Sequence, residues 1–533
     1  MKHFSLALLL VSLGLFTACR GKWGDSVPIK TDASIPPPVA SAASGQYDGI
    51  RKLEVSLQGE GIIRYTLDGS IPDVSSPRYR SPFKFKKTTI LRAVSFVGDS
   101  TCSPVATYTY LINEGHQMDV LSLVSDPDGL FSSKTGIYAT GPYRLMPFGK
   151  KGNGKRRLAY PYEEANFWQK WWRQAHVTLL PQDGEGFSAD CGTAIFGGYS
   201  RAEKKKSFKF KFDETYGADS LHYRLFPNRA CDVYSSFVVR AGSDGMGSLI
   251  KDELVDVLAD GLMDMSATRP VVLYVNDLYF GVYFLHEKIN RQFIAGHHNI
   301  PTDSLDIIYR NIESEEGSDK DWKDLAGYVS SHDITQDEVY QYVADRIDVQ
   351  GYADWLVTEL WCDNWDISNV RTFRSPFLDH KWHWILYDVD QGFNAPDSDG
   401  FIALFTPVEK ESIYYDPFRC LLRHPSFREL FLSRLEYQMK TLYPRDRVRG
   451  AIDDLVGVIG PEMKRNQERW VRSYEHWLEK IDALYLFADK RQSCLKQIFA
   501  TNPYLQDLLH MTPEELDRCF PDALKKTVSR APR

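Results

Sequence analysis

Between Gly49 and Asn113 apolar and polar residues alternate in short runs broken by turn residues: LEVSL (53–57), IIRYTLDGSIP (62–72), FKFKKTTILRAVSF (83–96) and VATYTYLI (105–112). Period-two alternation at this spacing predicts a small antiparallel β-sandwich. Asp68-Gly69 supplies a tight turn, and Pro72 ends its strand. From Asp119 the strands lengthen and a helix joins them. VLSLVSDPDGLF, HVTLL, SFKFKF, YSSFVVRAG, RPVVLYVNDLYFGVYFLHEK and WHWILYDVD read as strands, while LIKDELVDVLADGLM has apolar residues at helical spacing. After Glu429 strand patterns stop and helical ones take over, as in LFLSRLEYQMKTLY and EHWLEKIDALYLFADKRQSCLKQIF. The predicted class is α+β, with a β-sandwich in front and a helical extension behind.

The first residues have a different logic. Met1-Lys2-His3 opens with a positive charge, Phe4 to Phe16 is apolar, and Thr17-Ala18-Cys19 closes the run with small residues before a cysteine. This resembles a bacterial lipoprotein signal, with Phe16 where leucine is usual. The resemblance implies cleavage before Cys19, a lipid on its thiol and a place in the cell envelope. Residues 20–47, rich in Pro, Ser, Ala and Lys, read as a tether. The expected division is signal 1–18, tether 19–47, sandwich 48–113, main domain 119–500 and helical tail 501–533.

Composition narrows the partners. A formal net charge of −7 with scattered basic residues provides no field for nucleic acid. The eight cysteines include no CxxC pair, which argues against a zinc site. Seven widely spaced cysteines beyond Cys19 predict mostly free thiols rather than bridges.

Phosphoryl transfer requires a basic group on phosphates, hard ligands for magnesium and a carboxylate beside the acceptor hydroxyl. The chain offers these residue types in order: Lys206 before SFKFKF, Glu287 at the end of YFGVYFLHE, Asp366 and Asn369 in one loop, and Asp388 with Asp390 after WHWILY. Asp366 and Asn369 could instead tie down an Asx-turn. Asp388 and Asp390 fall on one strand face, where like charges favour a cation. Which of Lys204, Lys205 and Lys206 turns inward stays open, and Glu287 could merely bridge Lys288 or Arg291.

The segments SLVSDPDGLFSSKTGIYATG, GGYSRAEKKKSFKFKF, FVVRAG, VVLYVNDLYFGVYFLHEKINRQFI, NWDISNVRTFR and KWHWILYDVDQGFN together resemble the spore-coat CotH kinase family across roughly residues 119–500. That resemblance implies a divergent protein-kinase-like domain that binds ATP with magnesium and phosphorylates hydroxyl groups of surface or envelope proteins. It implies Asp366 as catalytic base, Asn369, Asp388 and Asp390 as metal residues, and Lys206 and Glu287 as nucleotide-site residues. The front domain resembles the immunoglobulin-like accessory domain of chitobiases and hexosaminidases, which implies a spacer or a weak glycan contact. A non-catalytic surface protein binding glycan or protein through a kinase-like fold is the alternative.

Other features are read as structural. Asp252, Arg240 and Asn276 are assigned to packing. NFWQKWW (166–172) is expected to be an amphipathic core helix rather than a sugar platform, and His297 and His298 are expected to diverge.

Overall fold

The computed structural model describes residues 30–98, 101–142, 164–242, 247–311, 313–400 and 416–524. Cys19 and the predicted signal lie outside the described residues.

The N-terminal domain has its own core, in which Val55, Leu57, Ile63, Phe85, Leu91, Ala93, Tyr110 and Ile112 are buried together. Thr89–Val97 is its central strand, paired with Ile62–Thr66 on one face of the ladder and with Ala106–Ile112 on the other. The tether expectation needs correction for residues 30–47. Lys30–Thr31 pairs with Thr101–Cys102, Val39–Ala40 with Leu57–Gln58, and Gly45–Tyr47 with Tyr110–Ile112. Tyr108 donates its hydroxyl to the Pro38 carbonyl at 3.1 Å, and Tyr110 donates to Ala42 at 3.0 Å. Without these partners the sheet edges and two tyrosine hydroxyls would lack hydrogen bonds, so a proline-rich segment is recruited as edge strand.

The main domain begins with a closed seven-stranded barrel. Its strands are β1 (Val120–Ser125), β2 (Arg173–Leu180), β3 (Phe187–Phe196), β4 (Ser207–Lys211), β5 (Ser236–Arg240), β6 (Thr268–Val275) and β7 (Leu278–Glu287). Around the barrel the order is β1-β2-β3-β4-β5-β7-β6, closed by parallel pairing of β6 with β1. β6 and β7 form a two-residue hairpin in which Asn276 takes a left-handed φ of 53°. The Asn276 side-chain oxygen accepts from Ser125 N, in line with its structural reading. Helix α1 (Lys251–Ala259) follows β5, and helix α2 (Arg291–His298) follows β7.

A second sheet orders Asp264–Met265, His383–Leu386, Arg371–Arg374, Asp306–Tyr309 and Glu313–Glu316. Helix α3 (Val349–Cys362) lies against it, and the long α4 (Tyr474–Thr501) belongs to the C-terminal helices. Barrel and helices share one large apolar core running from Val120 to Phe520. No helix among the described residues is long and apolar enough to cross a membrane.

The connector that follows the N-terminal domain is fastened to this body by polar contacts. Glu114 accepts from Arg465 at 2.7 Å, and buried His116 lies 2.7 Å from Glu462 and 2.9 Å from the Tyr274 hydroxyl.

The expected helix at 166–172 does not form. Asn166–Trp168 makes one 3-10 turn, and the chain then extends into β2 at Arg173, since Trp172 leads directly into a strand paired with β3. Phe167 is buried, but Trp171 and Trp172 remain partly exposed.

Candidate active site

Two segments bring carboxylates to the junction of barrel and second sheet. The first follows α3, whose last turn ends at Asp363 in a left-handed conformation, with φ 57°. This reversal leads into Asn364, Trp365 and Asp366. The Asn364 side chain accepts from Asp366 N at 3.2 Å, and Asp366 accepts from the Ser368 hydroxyl at 2.6 Å. The second segment leaves His383–Leu386 and turns at Asp388, which also has a left-handed φ of 60°. Positive φ is uncommon outside glycine, and it turns Asp388 out of the strand direction.

Asn369 joins the two. Its side-chain nitrogen donates to Asp388 at 2.8 Å and to Asp366 at 3.3 Å. Asp366, Asn369, Asp388 and Asp390 thus converge. The loop is a local turn and also one wall of a polar site.

From the barrel side, Arg240 at the end of β5 reaches into the same place. Its guanidinium lies 2.6 Å from Asp252 on α1, 2.8 Å from Asp388 and 3.8 Å from Asp390. Asp252, Asp388 and Asp390 offer carboxylate oxygens within 4.8 Å of one another. Burial opposes charge on Arg240, yet Asp252, Asp388 and Asp390 hold it more firmly protonated than usual. Burial raises Asp252 and Asp388 above the ordinary carboxylate range, against the pull of Arg240. Burial also lifts Glu359 on α3 to about 8. Once ionised, the three carboxylates outnumber the one guanidinium, and carboxylate oxygens are hard donors that magnesium takes; the Asn369 amide turns its nitrogen to them, its oxygen accepting from the Tyr309 hydroxyl at 3.5 Å. The residues present fit that ion. Reading Asp252 and Arg240 as packing residues missed their place here; the signal available was an acidic helix start beside a strand-end arginine.

Lys206 and Glu287, both implied as nucleotide-site residues, are not brought together. Lys206 donates to the carbonyls of Arg201 and Glu203, both at 2.6 Å, and lies over the rings of Phe167 and Tyr138. Burial brings its ammonium down to about 8. Glu287 faces elsewhere: it accepts from Ala267 N at 2.9 Å and lies 3.2 Å from His297 and 3.5 Å from Arg229. Register explains the mismatch. Glu287 stands opposite Phe237, whereas the Lys206 carbonyl takes the hydroxyl of Tyr283, four residues back along β7. At about 3.3 Å per residue that is roughly 13 Å.

Two other lysines lie on the barrel. Lys205 is buried, donates to the Val282 carbonyl and feels the charge of Glu253, the neighbour of Asp252 on α1. Burial takes it down to about 7. Lys209 lies on β4 opposite Val238, two residues from Arg240, so Lys209 and Arg240 share one face of the barrel. Its ammonium packs 4.8 Å over the Trp172 ring. Burial, reinforced by the positive charges of Arg201, Lys288, Lys170 and Lys211, depresses it to about 8.

His297 and His298 do not diverge as expected. At the end of α2 both reach Asp264, His297 at 3.5 Å and His298 at 2.9 Å. They belong with Glu287 to a network on the far side of β7.

The body is mixed α+β, with a polar site where the barrel meets the second sheet. Residues 193–495, more than half of the chain, match the family described as CotH kinase protein, and residues 52–110 match the domain described as Fn3 associated. The chain belongs to the CotH kinase family. No curated protein matches it.

Proposed function

We propose that this protein is an exported, lipid-anchored kinase that transfers the γ-phosphoryl group of ATP to hydroxyl groups of an envelope protein. The observation carrying this reading is Asn369, whose one amide ties Asp366 to Asp388, so that the carboxylate read as base stands beside one read as a cation ligand. In this reading Asp388 and Asp390, with Asp252, would hold magnesium, and Asn369, expected among the metal residues, would orient Asp366 and Asp388 through its amide nitrogen. When bound, magnesium neutralises charge on the phosphates.

The chain's own residues do the rest. Asp366 orients the acceptor hydroxyl and takes its proton as the oxygen bonds to the γ-phosphorus and the bond to the β-phosphate oxygen breaks, leaving ADP. Arg240 keeps Asp388 aimed inward from the barrel. Lys209, on the same barrel face as Arg240 and with its pKa held down by burial and nearby positive charges, is the basic group for the phosphates in place of Lys206. Lys205, under the charge of Glu253, is a second basic group of the barrel. The lipid on Cys19 would hold this domain at a membrane surface.

Isothermal titration of the purified protein with ATP tests the donor assignment. Heat of binding that requires magnesium supports it, and no binding with magnesium present refutes it.

A further inference from the structure

Helix α4 sends one buried arginine, Arg491, between the two segments that carry the acidic site. Its Nε donates to the Trp361 carbonyl at 2.8 Å and one Nη to Leu360 at 2.8 Å, both in the last turn of α3. The other Nη donates to Pro396 at 2.9 Å and Ser398 at 2.7 Å, just beyond the turn that contains Asp388 and Asp390. The residue is 1% exposed.

The last carbonyls of a helix have no partner within it and attract positive charge. Here they are taken by a side chain that holds the second segment with its other arm. The next carbonyl, Cys362, accepts from Phe393 N at 2.7 Å, and a Cβ on Gly392 would stand 2.5 Å from that same oxygen. Trp361 packs edge to face on Phe393 and on Phe487 of α4, and those two rings are tilted on each other, with centroids 5.0 to 5.9 Å apart. The end of α3 leads directly to Asp366, and the held turn contains Asp388.

We infer that Arg491 is a positioning residue: its planar fork fixes the spacing between the Asp366 loop and the Asp388 turn. This makes the C-terminal helix a working part of the site. The catalytic consequence rests on the kinase reading, but the geometric claim does not. Lysine cannot substitute, because a single ammonium on a flexible stem does not span four carbonyls in two segments.

The test compares Arg491→Lys with wild type and with Arg449→Ala, which breaks an ion pair to Asp489 on the same helix, away from the site. Hydrogen exchange followed by mass spectrometry reads peptides covering residues 360–370 and 388–398 without metal or nucleotide. Both should lose protection together in Arg491→Lys and keep it in Arg449→Ala. Manganese binding, read by electron paramagnetic resonance, should weaken roughly tenfold in Arg491→Lys. Millimolar guanidinium should restore it in Arg491→Ala. Should the lysine variant unfold, Arg491→Gln provides the same comparison without a buried charge. Unchanged protection of the two segments, or a loss matched in Arg449→Ala, overturns the inference. Wild type that binds no manganese would sink the kinase reading instead, leaving the exchange result to judge Arg491.

Discussion

The Arg240 guanidinium lies 2.8 Å from the Asp388 carboxylate, joining the end of a barrel strand to the turn that leaves the second sheet. The barrel and the second sheet, which share the apolar core, thus also meet through charge at the site. Removing Arg240 leaves Asp252, Asp388 and Asp390 with no guanidinium among them. Arg240→Met should cost about 3 to 5 kcal/mol of stability, as for other buried pairs broken on one side. Magnesium should then raise the melting temperature of the variant more than that of wild type, because a divalent cation replaces the lost charge. Calorimetry with and without magnesium checks both effects.

Lys209 and Lys206 should separate cleanly. Lys209→Met should weaken ATP binding by roughly ten- to a hundredfold, the loss of a charge-assisted contact. Its stability should change little or rise, since a lysine crowded by like charges is removed. Lys206→Met strips two carbonyls of their donor, and should lower the melting temperature while leaving nucleotide affinity per folded molecule near wild type. Titration calorimetry and thermal melts distinguish the two.

His297 predicts a pH dependence. Burial opposes its charge, but hydrogen bonds to Asp264 and Glu287 raise it from the usual 6.5 to about 9. The folded state thus binds this proton more tightly than the unfolded chain. The stabilisation is complete below about pH 6.5 and disappears as pH rises through about 9. His297→Gln should be less stable than wild type by on the order of 2 to 3 kcal/mol at pH 6. The gap should close by pH 10, which melting curves across that range would reveal.

Much of this arrangement was legible in the order of residues. NWDISNVRTFR and KWHWILYDVDQGFN place Asp366, Asn369 and Asp388 next to recognisable helix and strand ends, and those ends bring them together. Side chains from the barrel were harder to read. SFKFKF alternates cleanly, but nothing in the alternation says which face closes a barrel and which meets the second sheet, so the choice stays among Lys204, Lys205 and Lys206 and passes over Lys209. Glu287 was misplaced by the same ambiguity: one step along β7 exchanges the inner and outer faces. Strand β3, FSADCGTAIF, escaped notice because its Ser, Asp, Gly and Thr dilute the apolar pattern. Residues 30–47 misled through composition, since their prolines and serines suit a sheet edge as well as a tether.

The central claim is phosphoryl transfer through Asp366 and Asp388. The most direct measurement is incorporation of label from γ-labelled ATP, with magnesium, into an envelope protein extract or the protein itself. Wild type should label. Asp366→Ala should lose roughly a hundred- to ten-thousandfold of the rate while still binding magnesium and ATP. Asp388→Ala should lose labelling together with magnesium affinity. Wild type that binds ATP and magnesium but transfers no label, or alanine variants that label as fast as wild type, would contradict the account.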